Sequence, residues 1–336
     1  MKAAVIYAHG GPGTIKIESA FPDPTPGPDD VVIRVRSTSL NYHDIFTRNG
    51  MPGITIPMPC IMGIDFSGDI VEIGSHVTQW KIGDHIVVDP VNRVSHGGLM
   101  GEMWHGGMAE YCRVPSSQLV KLPQAVAFES AAVLPVAYAT ARRMLFTRGN
   151  LKRGEKVLIL GASGGVGTAC ILLAKMVGAE VIACASNADK LERLRRLGAN
   201  HVINHATQDF VKEIYRIYGK PHRRKFTEGV DVVVNYIGGD TWVPALKILH
   251  RGGRILTCGA TAGFAPREDL RYVWSYELDI RGSNGWMRED IETLLDDVAT
   301  HRLKPLIDER FTLDQANEAF HLMENRRLFG KIVIAP

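Results

Sequence analysis

KVLILGASGGVGTACILLAKMVGAEVIACAS, residues 156–186, decides the fold. An apolar run, KVLIL, leads into a glycine turn, then an amphipathic segment from Gly165, then a second apolar run, EVIACAS. Glycines between a strand and a helix let the backbone close on a pyrophosphate. The phosphate charge then rests on unpaired N–H groups at the helix start. Strict G-x-G-x-x-G spacing would need glycines at 162, 164 and 167, but the first is Ala162, preceded by Gly161. Gly161, Ala162, Ser163, Gly164, Gly165, Val166 and Gly167 are therefore the expected cofactor-binding turn. A ligand-free strand–helix corner would also be glycine-rich. The four β/α units that follow favour a dinucleotide.

The end of the second strand selects which dinucleotide. An acid there would grip the ribose 2′-hydroxyl of NAD, but this chain has Ala185-Ser186-Asn187, with Lys190 just inside the next helix. A carboxylate beside a 2′-phosphate would cost about 4 kcal/mol at 4 Å and an effective dielectric of about 20. Its absence, with a donor at Ser186 and a cation at Lys190, favours NADP(H) over NAD(H). Asp189, at the helix start, suits a capping or dipole role. His205, ending the third strand HVINH, is a further candidate for the adenine or the phosphate, or an ordinary strand-end histidine.

Working outward from this turn, strands and helices alternate from about Phe128 to Ser283, which implies a doubly wound parallel sheet covered on both faces. In FESAAVLPVAYATARRMLF, Pro135 is expected to kink or break the helix. The first third is different. In DVVIRVRSTS, Val31, Ile33 and Val35 alternate with Arg34 and Arg36, a half-buried strand. Short strands between glycine turns there indicate a β-rich body. The closing strand GKIVIAP is returned to that body, so the domains read 1–127 with 284–336, and 128–283. The fold class is α/β.

The 336 residues suffice for two domains. A net charge of +3 is nearly neutral for this length and gives no reason to expect nucleic acid or an anionic membrane. The basic run HRRK, residues 222–225, reads as a solvated loop. Five scattered cysteines without a C-x-x-C suit reduced thiols in a cytoplasmic protein. No apolar window reaches membrane-spanning length.

LNYHDIF, GIDFSG, GGMAEY, GASGGVG, RGGRILTCGA and GKIVI occur in this order across the chain. As an ordered set they resemble the medium-chain dehydrogenase/reductase superfamily, close to its zinc-free quinone oxidoreductase and enoyl reductase branch. The resemblance implies a GroES-like catalytic domain beside a Rossmann domain. It also places the zinc ligands of the metal-holding members at Asn41, Ile64 and near Val136, none of which is a ligand residue type for zinc. The four-cysteine structural zinc loop would fall between Asp89 and Glu110, which contains no cysteine. His96, Glu102 and His105 are the substitutes there, in a glycine-rich setting expected to be a flexible surface loop. No zinc is expected.

Zinc stabilises the alkoxide formed when hydride reaches a simple ketone. Without it, a substrate whose anion is already delocalised is favoured: a quinone, an enone or enal, or an enoyl thioester. The resemblance puts Asn41 and Tyr42 by the nicotinamide as donors to the substrate oxygen, and Phe46 and Trp286 in the substrate pocket. Packing and capping roles for Asn41 and Tyr42, and a packed interdomain aromatic for Trp286, are the alternatives. No dyad is assigned to the adjacent His43 and Asp44, and water is left to protonate the enolate. A metal-independent alcohol or carbonyl oxidoreductase is the rival enzyme, and a non-catalytic NADPH-binding structural protein the rival of another class. The family implies a homodimer through LDIRGS, residues 278–283, with a tetramer compatible.

Overall fold

Six strands rich in valine, isoleucine and leucine form the sheet of one half of the chain: β1 (Lys156–Ile159), β2 (Glu180–Ala185), β3 (His201–Asn204), β4 (Val230–Val234), β5 (Leu249–Thr257) and β6 (Asp279–Gly282). All pair in parallel, in the order β3-β2-β1-β4-β5-β6. Val157, Leu158, Ile159, Val181, Ile182 and Val233 are fully buried, as expected of strands covered on both faces. The order turns back on itself between β1 and β4, which puts the glycine turn after β1 at the switch point of the sheet. Helix α1 (Gly165–Val177) follows it and ends on Gly178, whose φ of 80° suits a residue without a Cβ.

The computed structural model describes residues 1–94 and 97–336. It forms two units, Met1–Ala137 with Met287–Pro336, and Tyr138–Trp286. The first boundary lies ten residues beyond the expected one, for a local reason. The helix Phe128–Ala132 and the residues after it are bound to the β-rich unit: Ser67 Oγ donates to Phe128 O at 2.8 Å, and Val136 N–H to Asp65 Oδ1 at 3.0 Å. At the second boundary, Ser283 N–H continues the ladder to Thr257 O, so the handover falls after Trp286 rather than before residue 284. Pro135 does not break the chain's helical course. It sits in a wide π-turn stretch, Leu134–Tyr138, that runs on into the helix Ala139–Arg142.

In the β-rich unit a seven-stranded sheet is built around Asp30–Leu40, with Val31, Ile33 and Val35 buried and Arg34 and Arg36 exposed. The closing strand Lys331–Ala335 lies antiparallel to Asp30–Leu40 and parallel to Ile307–Thr312. The register sets Ser39 opposite both Asp65 and Val333, and Leu40 opposite Ile332. Three segments distant in sequence therefore end side by side at Asn41.

The glycine-rich segment 97–108 is not the flexible surface loop expected from its composition. Met100, Gly106, Gly107 and Met108 are buried. Backbone bonds tie Gly106 N–H to Ile61 O and Gly107 N–H to Gly63 O. A Cβ on Gly107 would lie 2.3 Å from the Phe66 ring, so the glycines serve close backbone approach rather than mobility.

Candidate functional site

At the glycine turn, Gly161 has a φ of 66° and its carbonyl accepts from two partners, Gly164 N–H at 3.2 Å and the Tyr236 hydroxyl at 2.7 Å. Ala162 N–H reaches across to Cys184 O of β2 at 3.1 Å. Gly167 must be glycine, because a Cβ there would meet Gly161 O at 2.5 Å and Ala162 Cα at 2.6 Å. Gly164 faces open space: Gly161 O at 3.8 Å is the one heavy atom near its absent Cβ. Ser163 to Val166 remain partly exposed, and the first-turn N–H groups of α1 have no partner inside the helix. An anionic diphosphate fits this cradle.

At the carboxyl end of β2, Ser186 is exposed. Asn187 caps the helix α2 (Ala188–Arg196) by accepting Lys190 N–H at 2.9 Å. Asp189 stays exposed in the first turn, and Lys190 is buried rather than a solvated surface lysine. His205 N–H continues the ladder to Ala185 O, leaving its side chain exposed at the same edge. Beyond β4 and β5 opens a cavity of about 360 Å³ lined by Gly238, Trp242, Thr257, Gly259 and Ala260. Sequence reasoning missed it, although the Gly238-Gly239 pair after a strand was its available signal.

The β-rich unit holds a buried polar network at Asn41. Its Nδ2 donates to Asp65 Oδ2 at 2.8 Å, and its Oδ1 accepts from Lys331 Nζ at 2.5 Å. Lys331 Nζ also donates to Leu40 O at 2.8 Å and stands 3.5 Å from Asp65 Oδ2. Ser39 Oγ donates to Asp65 as well. Asp65 and Lys331 are 0% and 2% exposed. Burial pushes the Asp65 carboxyl up and the Lys331 ammonium down, each against the attraction of the other.

Asn41 also caps the helix Tyr42–Asn49, with Asp44 Oδ2 accepting Asn41 N–H at 2.7 Å. The helix is amphipathic. Asp44, Ile45, Thr47 and Arg48 face inward, Arg48 pairing with Glu324 and lying over the Phe320 ring. Tyr42 and Phe46 face outward, their rings edge to face at 5.2 Å. Between them His43 Nε2 meets Glu102 Oε2 at 2.6 Å. Sequence reasoning missed this pair, which joins residues 59 positions apart.

Two families match this chain: the alcohol dehydrogenase GroES-like domain over residues 27–124 and the zinc-binding dehydrogenases over residues 165–300. It is 31% identical over 363 residues to the synaptic vesicle membrane protein VAT-1 homolog of Rattus norvegicus, covering 100% of this chain and 84% of that one. It is 31% identical over 340 residues to the chloroplastic NADPH-dependent alkenal/one oxidoreductase of Arabidopsis thaliana, covering 100% and 80%. A solved NAD-dependent alcohol dehydrogenase superposes with a TM-score of 0.92 at 32% identity, covering 100% of both chains. The chain belongs to the medium-chain dehydrogenase/reductase superfamily. It is an oxidoreductase of that superfamily, built from a GroES-like unit and a Rossmann unit.

The zinc positions of this superfamily do not fit a metal here. Ile64 is an apolar side chain with no exposure, and Val136 offers only an N–H already bound to Asp65. Both ends of the Asn41 amide are occupied, and one of them faces an ammonium, which a dication would repel. Elsewhere, Glu102 pairs with His43, while His105 Nδ1 accepts Ile61 N–H. His96 lies outside the described residues. Among the described residues no group of three or more His, Cys, Asp or Glu could hold a metal, and no helix is long and apolar enough to cross a membrane. All five cysteines are unpaired, four of them buried.

The Asp44 carboxyl is raised to about 6, chiefly by burial, and its Oδ1 has no hydrogen-bond partner. Its folded value lies above the unfolded one, so its stabilising contribution is complete below about pH 4 and is lost as pH rises through 6. Asp44→Asn keeps an oxygen for the Asn41 N–H and removes this loss. Relative to wild type, the variant should gain about 2–3 kcal/mol on going from pH 4 to pH 8. Urea unfolding at both pH values reads the difference, and an equal offset at the two would contradict it.

Proposed function

We propose that the protein moves hydride from NADPH to the electron-poor carbon of a conjugated acceptor: a quinone, an enone or enal, or an enoyl thioester. The observation that carries this is the closed network at Asn41. Asn41 stands at one of the positions where the superfamily's zinc members are expected to carry a ligand, and here its amide is already bonded to a carboxylate and an ammonium. No group there is free to stabilise an alkoxide. Conjugate addition yields an enolate or hydroquinone anion whose charge is already spread, which makes a smaller demand on the protein.

Reduced nicotinamide, when bound, supplies the hydride. Tyr42 is the donor best placed for the oxygen that gains charge, since its hydroxyl has no partner among the described residues and its ring is braced edge to face by Phe46. Asn41 then acts by position: its amide is spent on Asp65 and Lys331, and its capping of the helix sets the direction of Tyr42. Phe46 supplies an apolar wall against which a hydrogen bond is strong. Trp286, the last residue of the Rossmann unit, is buried. The Gly161 turn holds the diphosphate. The cavity beyond β4 and β5 takes a further part of the cofactor, at the carboxyl ends of the strands.

The name of the alkenal/one oxidoreductase supports both the acceptor class and NADPH. The name of the alcohol dehydrogenase with the 0.92 superposition supports, in its reaction class, the second reading, an alcohol or carbonyl oxidoreductase. A cofactor-oxidation panel of quinones, enals, enoyl thioesters and saturated ketones separates the two. The conjugated acceptors should be faster, and Tyr42→Phe should lower turnover on the best of them by about 10²-fold with the fold unchanged. A loss below about threefold would remove Tyr42 from the role, and faster saturated ketones would overturn the acceptor class.

For the cofactor, the missing acid at Ser186 and the cation at Lys190 favour the 2′-phosphate, with His205 at the same strand-end edge. Lys190→Ala should raise the Michaelis constant for NADPH and spare that for NADH. Equal changes for both cofactors would show that Lys190 does not read the phosphate.

A further inference from the structure

His43 and Glu102 form a pair that the reduction described above leaves unused. Glu102 lies in a turn whose amides converge on Leu99 O, and its own carbonyl accepts the Cys60 thiol at 3.7 Å. Its side chain is 8% exposed, while that of His43 is 32% exposed. The carboxylate is therefore held inside and the imidazole reaches outward, one turn of helix from Phe46 and beside Tyr42. The ring centroids of His43 and Phe46 are 6.3 Å apart. A carboxylate facing one ring nitrogen holds a proton there and fixes the ring's orientation. Nε2 is committed to Glu102, so Nδ1 is the nitrogen left to exchange a proton.

The other ionisable groups around the pair do not compete for this role. Asp44, next in the chain, is fully buried and keeps its Oδ2 on the Asn41 N–H. The Cys60 thiol is pushed up to about 12 by burial, with Glu102 and Asp44 adding to it, and so brings no charge. A tether between the helix and the 97–105 turn would need only a buried ion pair. It would not need a histidine with a third of its side chain open to solvent.

We propose that His43, held by Glu102, is the catalytic acid that delivers the second hydrogen of the reduction to the α-carbon of the conjugated acceptor. The proposal rests on the reading of the reaction as reduction of a conjugated acceptor. The acceptor's β-carbon takes hydride with its electron pair, and the C=C electrons move into the enolate, whose oxygen Tyr42 faces. The enolate α-carbon then forms a C–H bond as the Nδ1–H bond of the His43 imidazolium breaks. The ring is left neutral with its remaining proton on Nε2 toward Glu102, and water restores the Nδ1 proton. Oxygen and α-carbon are two bonds apart in an enolate, and two neighbouring residues at the start of one helix address them. Glu102 is a positioning residue in this scheme.

The test is reduction in heavy water of an enone whose α-carbon becomes stereogenic. Wild type should place deuterium on one face of that carbon. His43→Gln should still accept hydride at the β-carbon, lose about 10²-fold in turnover, and scatter deuterium over both faces. Added imidazole should restore rate without restoring the face. Glu102→Gln should lower turnover with little change in the Michaelis constants and should also erode facial selectivity, which loss of a mere tether would leave intact. Independently of turnover, ¹⁵N shifts of the His43 ring in the cofactor-free protein should report a proton on Nε2. Retained selectivity in His43→Gln with turnover within about threefold of wild type, or a bare Nε2, would overturn the proposal alone. A wild type that reduces no conjugated acceptor would overturn the functional reading, and the proposal with it.

Discussion

An ammonium and a carboxylate, Lys331 and Asp65, stand 3.5 Å apart with almost no exposure to water, and Asn41 bonds to both. Removing two charges from water is costly, and their attraction offsets the cost only when the remaining hydrogen-bonding capacity is satisfied. Here Asp65 accepts from Asn41, Ser39 and Val136, while Lys331 donates to Leu40 O and Asn41. That requirement ties together the strand Asp30–Leu40, the strand Asp65–Ile73, the closing strand Lys331–Ala335 and the segment before Tyr138. It also explains why the chain returns to the first unit at all: the cation comes from the last strand, 290 residues after Asn41.

The functional face follows from that constraint. With Asn41 fixed, the helix it caps can bury Ile45 and Arg48 in only one orientation, which leaves Tyr42, His43 and Phe46 outward. The Lys331 ammonium is bound internally, to Leu40 O, Asn41 Oδ1 and Asp65. On the proposed reading, stabilisation of a developing anion falls to the Tyr42 hydroxyl and to the substrate's own conjugation. The Rossmann unit solves the opposite problem, since its glycine turn is held open by close backbone packing at Gly167 so that free N–H groups can meet an external anion.

Much of this was legible in the sequence because it rests on local patterns. Period-two alternation around Ile33, apolar runs between helices, and glycines between a strand and a helix are each set by neighbours close in sequence. What was not legible depends on residues brought together by register. Asp65 was visible only as the neighbour of a missing ligand, Lys331 only as the first residue of a strand, and Glu102 only as a substitute metal ligand in a glycine-rich loop. Composition misled at that loop, because Gly106 and Gly107 permit close packing where glycine clusters more often mark a turn. The unit boundary moved for a similar reason: the helix Phe128–Ala132 reads like a Rossmann element, but its carbonyl and the following amide are claimed by Ser67 and Asp65.

The most direct measurement is a double-mutant cycle on the buried pair, read as unfolding free energy in urea. Lys331→Met leaves the Asp65 carboxylate without its counter-charge and takes the Lys331 donor from the Asn41 oxygen, and should cost about 3–5 kcal/mol. Adding Asp65→Asn removes the stranded charge and should recover a substantial part of that loss, giving a coupling well above about 1 kcal/mol. A Lys331→Met variant that loses less than about 1 kcal/mol, with the two substitutions simply additive, would contradict the central place of this network.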